Sequence, residues 1–183
     1  DMASTSGGGD FTTGSLLGRS ADNEIYVFGR ERQQLGSNDG IELVKATAER
    51  DTAAIPIVIE EEKGASGKNL VEFYRRELPG YQVVSAPVSG TKEMRAQPYS
   101  ILQQGEHVIL PADDADAEWV QEWIKEHSGM MGDGRRPRHD DQIDTAAHAV
   151  NYLLDHGVIQ IADPHDMDVV SMMEWLEEAG VII

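Results

Sequence analysis

The stretch that decides the fold is residues 53–59, which read AAIPIVI. This continuous apolar run is rich in β-branched residues, a pattern typical of a strand that is buried on both faces. A helical pattern follows at Gly67–Leu78, and a second strand pattern follows at Tyr81–Ala86. Strand, helix and strand within about thirty residues predict a βαβ unit whose two strands are parallel.

Outside this unit, the sequence predicts a hairpin on the N-terminal side and mainly helices on the C-terminal side. The hairpin combines two β-rich runs, Phe11–Arg19 and Glu24–Arg32, which a turn cluster separates. Helices are predicted at Ile41–Arg50, Lys92–Gln104, Ala115–His127 and Asp140–Leu153, and a short strand is predicted at His107–Leu110. This order predicts an α/β fold with a mixed β-sheet flanked by helices on both faces.

Two of these helices carry finer predictions. Asn38 or Asp39 is available to cap the helix at Ile41–Arg50. The helix at Asp140–Leu153 is expected to bury one apolar face, made of Ile143, Ala147, Val150 and either Leu153 or Leu154.

The composition narrows the kind of protein. The 183 residues are enough for one domain with a sizeable core, and the absence of cysteine excludes disulfides and thiolate metal sites. Without a membrane-length apolar run or a signal peptide, we expect a soluble, intracellular protein. The net charge of -18 argues against binding nucleic acid by overall attraction. A site that acts on DNA would therefore need metal ions or a partner protein.

The first group of candidate functional residues is Glu60-Glu61-Glu62, at the C-terminal end of the most apolar predicted strand. Ligands and catalytic groups in open α/β sheets collect at the carboxyl ends of strands. Three glutamates alone suit a solvated acidic turn equally well, so the prediction of a site depends on a second group.

That second group is residues 139–144, which read HDDQID and open a predicted helix. Asp140 is placed to cap the helix, while Asp141 and Asp144 share one face. Acidic residues are favoured at helix N-termini in any case, and a lone His139 is more often a structural hydrogen-bonder. Three aspartates within five residues nevertheless exceed what capping needs. Crowded carboxylates usually persist because a divalent cation holds them, and oxygen ligands favour Mg²⁺ or Mn²⁺.

Two acidic groups far apart in sequence suit two-metal phosphodiester hydrolysis. A different possibility, ATP binding, is excluded for the turn at residues 64–69. That turn lacks the phosphate-loop spacing and has Asn69 where a magnesium-binding hydroxyl is required. It is better interpreted as a helix N-terminus that carries Lys68, which is able to contact a phosphate.

Five collinear motifs resemble the C-terminal nuclease domain of the large terminase subunit of tailed bacteriophages. They span about residues 1–153 and comprise residues 1–3 with 9–14, 59–68, 78–81, 89–98 and 139–146. The resemblance implies a ribonuclease H-like endonuclease that cuts concatemeric double-stranded viral DNA at initiation and termination of genome packaging. It also implies a location in the host cell cytoplasm, at the procapsid portal.

The resemblance also implies roles for residues by position. By their positions in the motifs, Asp1 and Glu60 resemble the first two catalytic, metal-binding acids of the family. The Asp140/Asp141 pair resembles the family's third acidic element. We take Asp141 as its catalytic member, although which of the pair binds metal directly stays open. Two ions of Mg²⁺ or Mn²⁺ are implied, with Asp144 as a further ligand and Asp10 and Glu62 as secondary acids. The expected DNA-contacting residues are Lys68, Lys92, Arg95 and Arg138.

The same resemblance sets expectations about domains and partners. Residues 1–153 are expected to form the nuclease domain, and residues 154–183 an acidic tail with an amphipathic helix. The family's ATPase domain, and the strand that leads into Asp1, are expected upstream in the same polypeptide. The portal protein and the small terminase subunit are the other expected partners. The tail residues Met172, Met173, Trp175 and Leu176 either pack on the domain or dock a partner such as the portal.

Two alternatives remain open from the sequence alone. One is another ribonuclease H-like nuclease, of the resolvase or transposase type. The other is a non-catalytic acidic module that binds a metal or a basic partner.

Overall fold

The computed structural model describes residues 11–111, 115–128 and 140–156. Its elements, in chain order, are β1 (Thr12–Arg19), β2 (Ile25–Gln33), α1 (Ser37–Asp51), β3 (Ile57–Glu61), α2 (Ala65–Glu77), β4 (Val83–Pro87), α3 (Lys92–Gln104), β5 (Val108–Ile109), α4 (Glu118–Ser128) and α5 (Asp141–His156). The described residues form two compact units, one from residues 11–37 and 90–156 and the other from residues 38–89. No described helix is long and apolar enough to cross a membrane.

The sheet of the first unit is mixed, because it contains both strand orientations. Strands β1 and β2 form the predicted hairpin and pair antiparallel, while β5 pairs parallel with β2. The register of the hairpin shifts after Leu16, which lies opposite Gly29, since the next residue, Leu17, lies opposite Val27. Phe28 is thus an extra residue on β2, and such a bulge bends the strand and increases its twist.

Helix α5 buries one face in the hydrophobic core of this unit. The predicted face is confirmed: Ile143, Ala147, Val150 and Leu153 are buried, whereas Leu154 is exposed. The core cluster joins α5 to the hairpin, α3 and α4 through Leu17, Ile25, Val27, Ala96, Tyr99, Trp123, Ala146, Ala147, Val150 and Leu153. Burial of these side chains is the main force that fixes the acidic N-terminus of α5 relative to α3 and α4.

The second unit contains the predicted βαβ arrangement, and its parallel strand pair is confirmed. Strand β3 begins at Ile57, not at Ala53, because Pro56 has no backbone N–H to donate to a strand ladder. The expectation that the run is buried throughout is wrong, since only Ile59 of β3 is fully buried. Helix α1 begins at Ser37, so Asn38 and Asp39 lie in its first turn and do not precede it.

Candidate functional site

The glutamates of the second unit lie at the carboxyl end of β3, as predicted. Glu60 and Glu61 are its last two residues, and they lie opposite Ala86 and Pro87 of β4. Glu61 Oε2 accepts a hydrogen bond of 2.5 Å from the Ser85 hydroxyl, so that its carboxylate links the two strands. Adjacent residues of a strand point to opposite faces, so Glu60 lies on the other face. Glu62 follows the strand and is exposed.

The turn after β3 is closed by a backbone contact that only glycine permits. A Cβ atom on Gly67 would lie 2.1 Å from the Glu62 carbonyl oxygen and 2.6 Å from its nitrogen. Gly64, just before α2, adopts a positive φ of 108°, which side chains disfavour. The two glycines hold the start of α2 tightly against the end of β3. Lys68, which was predicted to contact DNA, is exposed in the first turns of α2.

In the first unit, Lys92 binds two of the three predicted aspartates. Its Nζ lies 2.7 Å from Asp140 Oδ1 and 2.5 Å from Asp144 Oδ2. Partial burial lowers the pKa of Lys92, but the hydrogen bonds to the two carboxylates outweigh it and raise the pKa overall. Burial raises the pKa of Asp144, and the hydrogen bond from Lys92 opposes that rise. One ammonium group therefore gathers two carboxylates at the N-terminus of α5.

Arg95 lies one turn after Lys92 on α3. Its Nη1 donates to the Gly90 carbonyl oxygen at 3.4 Å, and its charge acts on Asp144 by lowering that residue's pKa. Contact of Lys92 and Arg95 with DNA stays a prediction. Both cations lie next to the α5 aspartates, and Lys92 is engaged by them.

Asp141, unlike Asp140 and Asp144, does not pair with Lys92. It is only 8% exposed, and its Oδ2 atom is buried with no hydrogen-bond partner in the described part of the chain. Leaving a buried carboxylate oxygen without a partner is costly unless a cation or donor satisfies it. The structure thus singles out Asp141 among the acids of the second predicted group.

Glu126, a buried residue of α4 that caps α5, was not among the residues predicted from the sequence. Its Oε1 accepts hydrogen bonds from the backbone N–H groups of Gln142 (2.8 Å) and Ile143 (3.2 Å). Its Oε2 accepts one of 2.5 Å from Gln142 Nε2, and Arg32 Nη2 lies 3.9 Å away. Burial raises the pKa of Glu126, while these hydrogen bonds oppose the rise. A sequence signal did exist, because Glu126 follows Val120 and Trp123 at helical spacing on the buried face of α4.

The cap from Glu126 changes the interpretation of the aspartates. Asp140 directly precedes α5, where a capping side chain ordinarily accepts from the second or third residue of the helix. Those residues are Gln142 and Ile143, and their N–H groups already bind Glu126. The Asp140 carboxylate pairs with Lys92 instead. The aspartates are therefore not accounted for by helix capping.

The carboxylate oxygens of Asp140, Asp141 and Asp144 are the kind of ligand that a divalent cation prefers. The described residues alone do not complete a metal site. The buried Asp141 oxygen without a partner, and the crowding of Asp140 and Asp144 around an ammonium group, are what such a cation would satisfy. No three His, Asp or Glu residues converge on one point in residues 11–111, 115–128 and 140–156. Among the predicted site residues, Asp1, Asp10, Arg138 and His139 lie outside the described ranges.

The chain matches a known protein family. A family model described as the terminase RNaseH-like domain matches residues 1–153, a range that contains both acidic groups and ends within α5. No curated protein matches the chain.

Proposed function

Since this chain belongs to the family of terminase RNaseH-like domains, we propose that it is the metal-dependent endonuclease of a viral DNA-packaging terminase. The family supports a nuclease-type role. The finer proposal is that the domain cuts concatemeric double-stranded DNA at the initiation and termination of packaging. It would do so at the procapsid portal, in the host cell cytoplasm.

The observation that carries this proposal is the state of Asp141. Its carboxylate is buried, and one oxygen has no partner within the described residues. The backbone N–H groups of Gln142 and Ile143 follow directly after Asp141 in α5. Those N–H groups are already bound by Glu126. A carboxylate kept available in this way suits a metal ligand better than a structural acid.

The acids assigned to the metal by the family resemblance are Asp1, Glu60 and Asp141, with Asp140 and Asp144 as further ligands. Two ions of Mg²⁺ or Mn²⁺ supply such a reaction with activation of water and stabilisation of the leaving oxygen. The contribution of the first unit is to hold Asp141 in a fixed, buried position on α5. Lys92 holds the carboxylates of Asp140 and Asp144 close together through its two ion pairs.

DNA would reach this acidic domain with help from cations and partners. Lys68, Lys92, Arg95 and Arg138 are the proposed contacts to the phosphate backbone. The upstream ATPase domain, the portal protein and the small terminase subunit are the proposed partners that deliver DNA.

The test is plasmid cleavage in the presence of Mn²⁺ by wild type, Asp141→Asn and Glu60→Gln. We expect each substitution to slow cleavage by about 100-fold or more, since loss of several kcal/mol of charge stabilisation costs a factor of ten per 1.4 kcal/mol. Asp155→Asn is the matched control, because Asp155 is an exposed aspartate near the other end of α5. It is expected to cut like wild type.

Cleavage at the wild-type rate by both site variants would refute the assignment. Absence of cleavage by wild type itself, together with binding of Ca²⁺ at least as tight as that of Mn²⁺ in calorimetry, would favour a non-catalytic acidic module. Preference for branched DNA or an RNA–DNA hybrid over linear duplex would favour a different ribonuclease H-like enzyme.

A further inference from the structure

Glu126 is a buried carboxylate that the proposed chemistry does not use. It lies on α4, sixteen residues before Gln142 in the chain, and only 7% of its surface is exposed. The groups around its carboxylate are hydrogen-bond donors: two backbone N–H groups, the Gln142 amide and, further away, the Arg32 guanidinium. The hydrogen bonds from Gln142 and Ile143 hold the Glu126 carboxylate in place against the first turn of α5.

The two backbone donors are the ones that a local cap on α5 would use. A residue just before a helix caps it by accepting from the second or third helical N–H group. For α5 that residue is Asp140, and the corresponding donors belong to Gln142 and Ile143. Because Glu126 occupies both donors, the Asp140 side chain is left to pair with Lys92, and Asp141 keeps a buried oxygen without a partner in the described residues.

We propose that Glu126 is a positioning residue for the acids of α5: its carboxylate replaces the local cap and so keeps Asp140 and Asp141 available to bind the metal. This inference rests on the proposed function. It predicts a specific consequence of removing Glu126. Asp140 turns toward the vacated N–H groups, caps the helix in place of Glu126, and leaves the metal site.

The first experiment measures the Mn²⁺ concentration that gives half-maximal plasmid cleavage. Glu126→Met removes both acceptor oxygens at similar side-chain length, and we expect it to raise that concentration by about 10-fold to 100-fold, as loss of groups that orient metal ligands usually does. Saturating Mn²⁺ should restore most of the turnover. Glu126→Gln keeps one acceptor oxygen and should recover part of the loss.

The control is Glu122→Gln, which removes a carboxylate one turn earlier on the same helix. Glu122 pairs with Arg30 of β2 and is 42% exposed at its side chain. The Glu122→Gln variant should reach half-maximal cleavage at the same Mn²⁺ concentration as wild type; this concentration is the Mn²⁺ requirement. A wild-type Mn²⁺ requirement in Glu126→Met, or an equal shift in Glu122→Gln, would overturn the proposal. A loss of turnover with an unchanged Mn²⁺ requirement would also overturn it, since that result indicates a purely structural role.

A second experiment does not depend on cleavage. Asp140→Ala is introduced into wild type and into Glu126→Met, and the Tm of all four proteins is compared. If Asp140 replaces the cap, its removal lowers the Tm more in the Glu126→Met background than in wild type. Equal effects in both backgrounds would overturn the inference. If wild type fails to cut DNA, the proposed function fails, and this cycle still decides whether Glu126 displaces Asp140 from the cap.

Discussion

Four carboxylates near the N-terminus of α5 differ in their partners, and those partners set what each residue does. Asp140 and Asp144 share the Lys92 ammonium group, Glu126 accepts from the helix N–H groups, and Asp141 retains a buried oxygen with no partner among the described residues. The residue type alone does not distinguish these roles. The position of a single cation and of two backbone donors does.

His127 gives a prediction about pH at the same scale. Its ring stacks on Trp123 at 4.2 Å, and its Nδ1 donates to the Trp123 carbonyl oxygen at 2.7 Å. Burial lowers the pKa of His127 from 6.5 to about 4, although the backbone hydrogen bond opposes the shift. Between about pH 4 and pH 6.5, the folded protein therefore keeps His127 neutral, whereas the unfolded chain protonates it. The stability it contributes is present above about pH 6.5 and is lost as the pH falls toward 4.

The measurement is urea unfolding of wild type and His127→Phe at pH 7 and pH 4. Phenylalanine keeps an aromatic ring against Trp123 and does not titrate. Between these pH values, wild type should lose about 3 kcal/mol more of its free energy of unfolding than the variant, at about 1.4 kcal/mol per pKa unit. The same loss in both proteins would contradict the burial of a neutral histidine.

At the scale of elements, the turn between β3 and α2 depends on Gly67. We expect Gly67→Ala to lower the free energy of unfolding by about 1–3 kcal/mol or more, because its Cβ atom would overlap the Glu62 backbone and force the strand end and the helix apart. Chemical denaturation measures this change. Gly14→Ala is the control, since a Cβ atom at Gly14 on β1 would meet none of the described atoms within 4 Å. A Gly67→Ala protein as stable as this control would show that the turn tolerates a side chain.

Local patterns predicted the elements well and their long-range hydrogen bonds poorly. Helix α3 has the predicted bounds, Lys92–Gln104, and Ile143, Ala147 and Val150 of the predicted face of α5 are buried. Of the two leucines left open, Leu153 is the buried one. Periodicity reports which side of a helix avoids water, which is a local property. The cap from Glu126 joins residues sixteen positions apart on different helices, and no periodic pattern encodes such a pair. Strand β3 was placed too early because Pro56 interrupts the ladder within an apolar run.

At the scale of the whole molecule, the α/β fold and the family were predicted from the sequence and are confirmed. The site was only partly predictable. The positions of Glu60 at a strand end and of Asp141 on α5 follow from strand and helix patterns. The contacts of Lys92 do not, because they depend on how α3 and α5 pack. Asp1, Asp10 and Arg138 lie outside the described residues, so their roles stay predictions.

The net charge of -18 leads to a prediction about DNA binding by the 183-residue chain. Without divalent metal, at a physiological ionic strength of about 0.15 M, we expect a Kd for duplex DNA above about 10⁻⁴ M. That value is the weak limit of ordinary non-specific binding. Repulsion between the phosphates and the acidic surface is the cause. Fluorescence anisotropy with a labelled duplex measures the affinity, and added Mn²⁺ should increase it. Tight binding in the presence of a chelator would contradict the prediction.

The cap supplied by Glu126 also bears on the order of events during folding. A helix that carries its own capping side chain is able to complete its first turn before it meets the rest of the protein. The carboxylate that caps α5 belongs to Glu126 of α4. The first turn of α5 therefore reaches the geometry described above only after the two helices dock. A peptide that contains residues 140–156 alone would have to use one of its own aspartates for the task. The arrangement of acids on α5 is therefore a product of tertiary assembly, and a partly folded chain does not yet possess it.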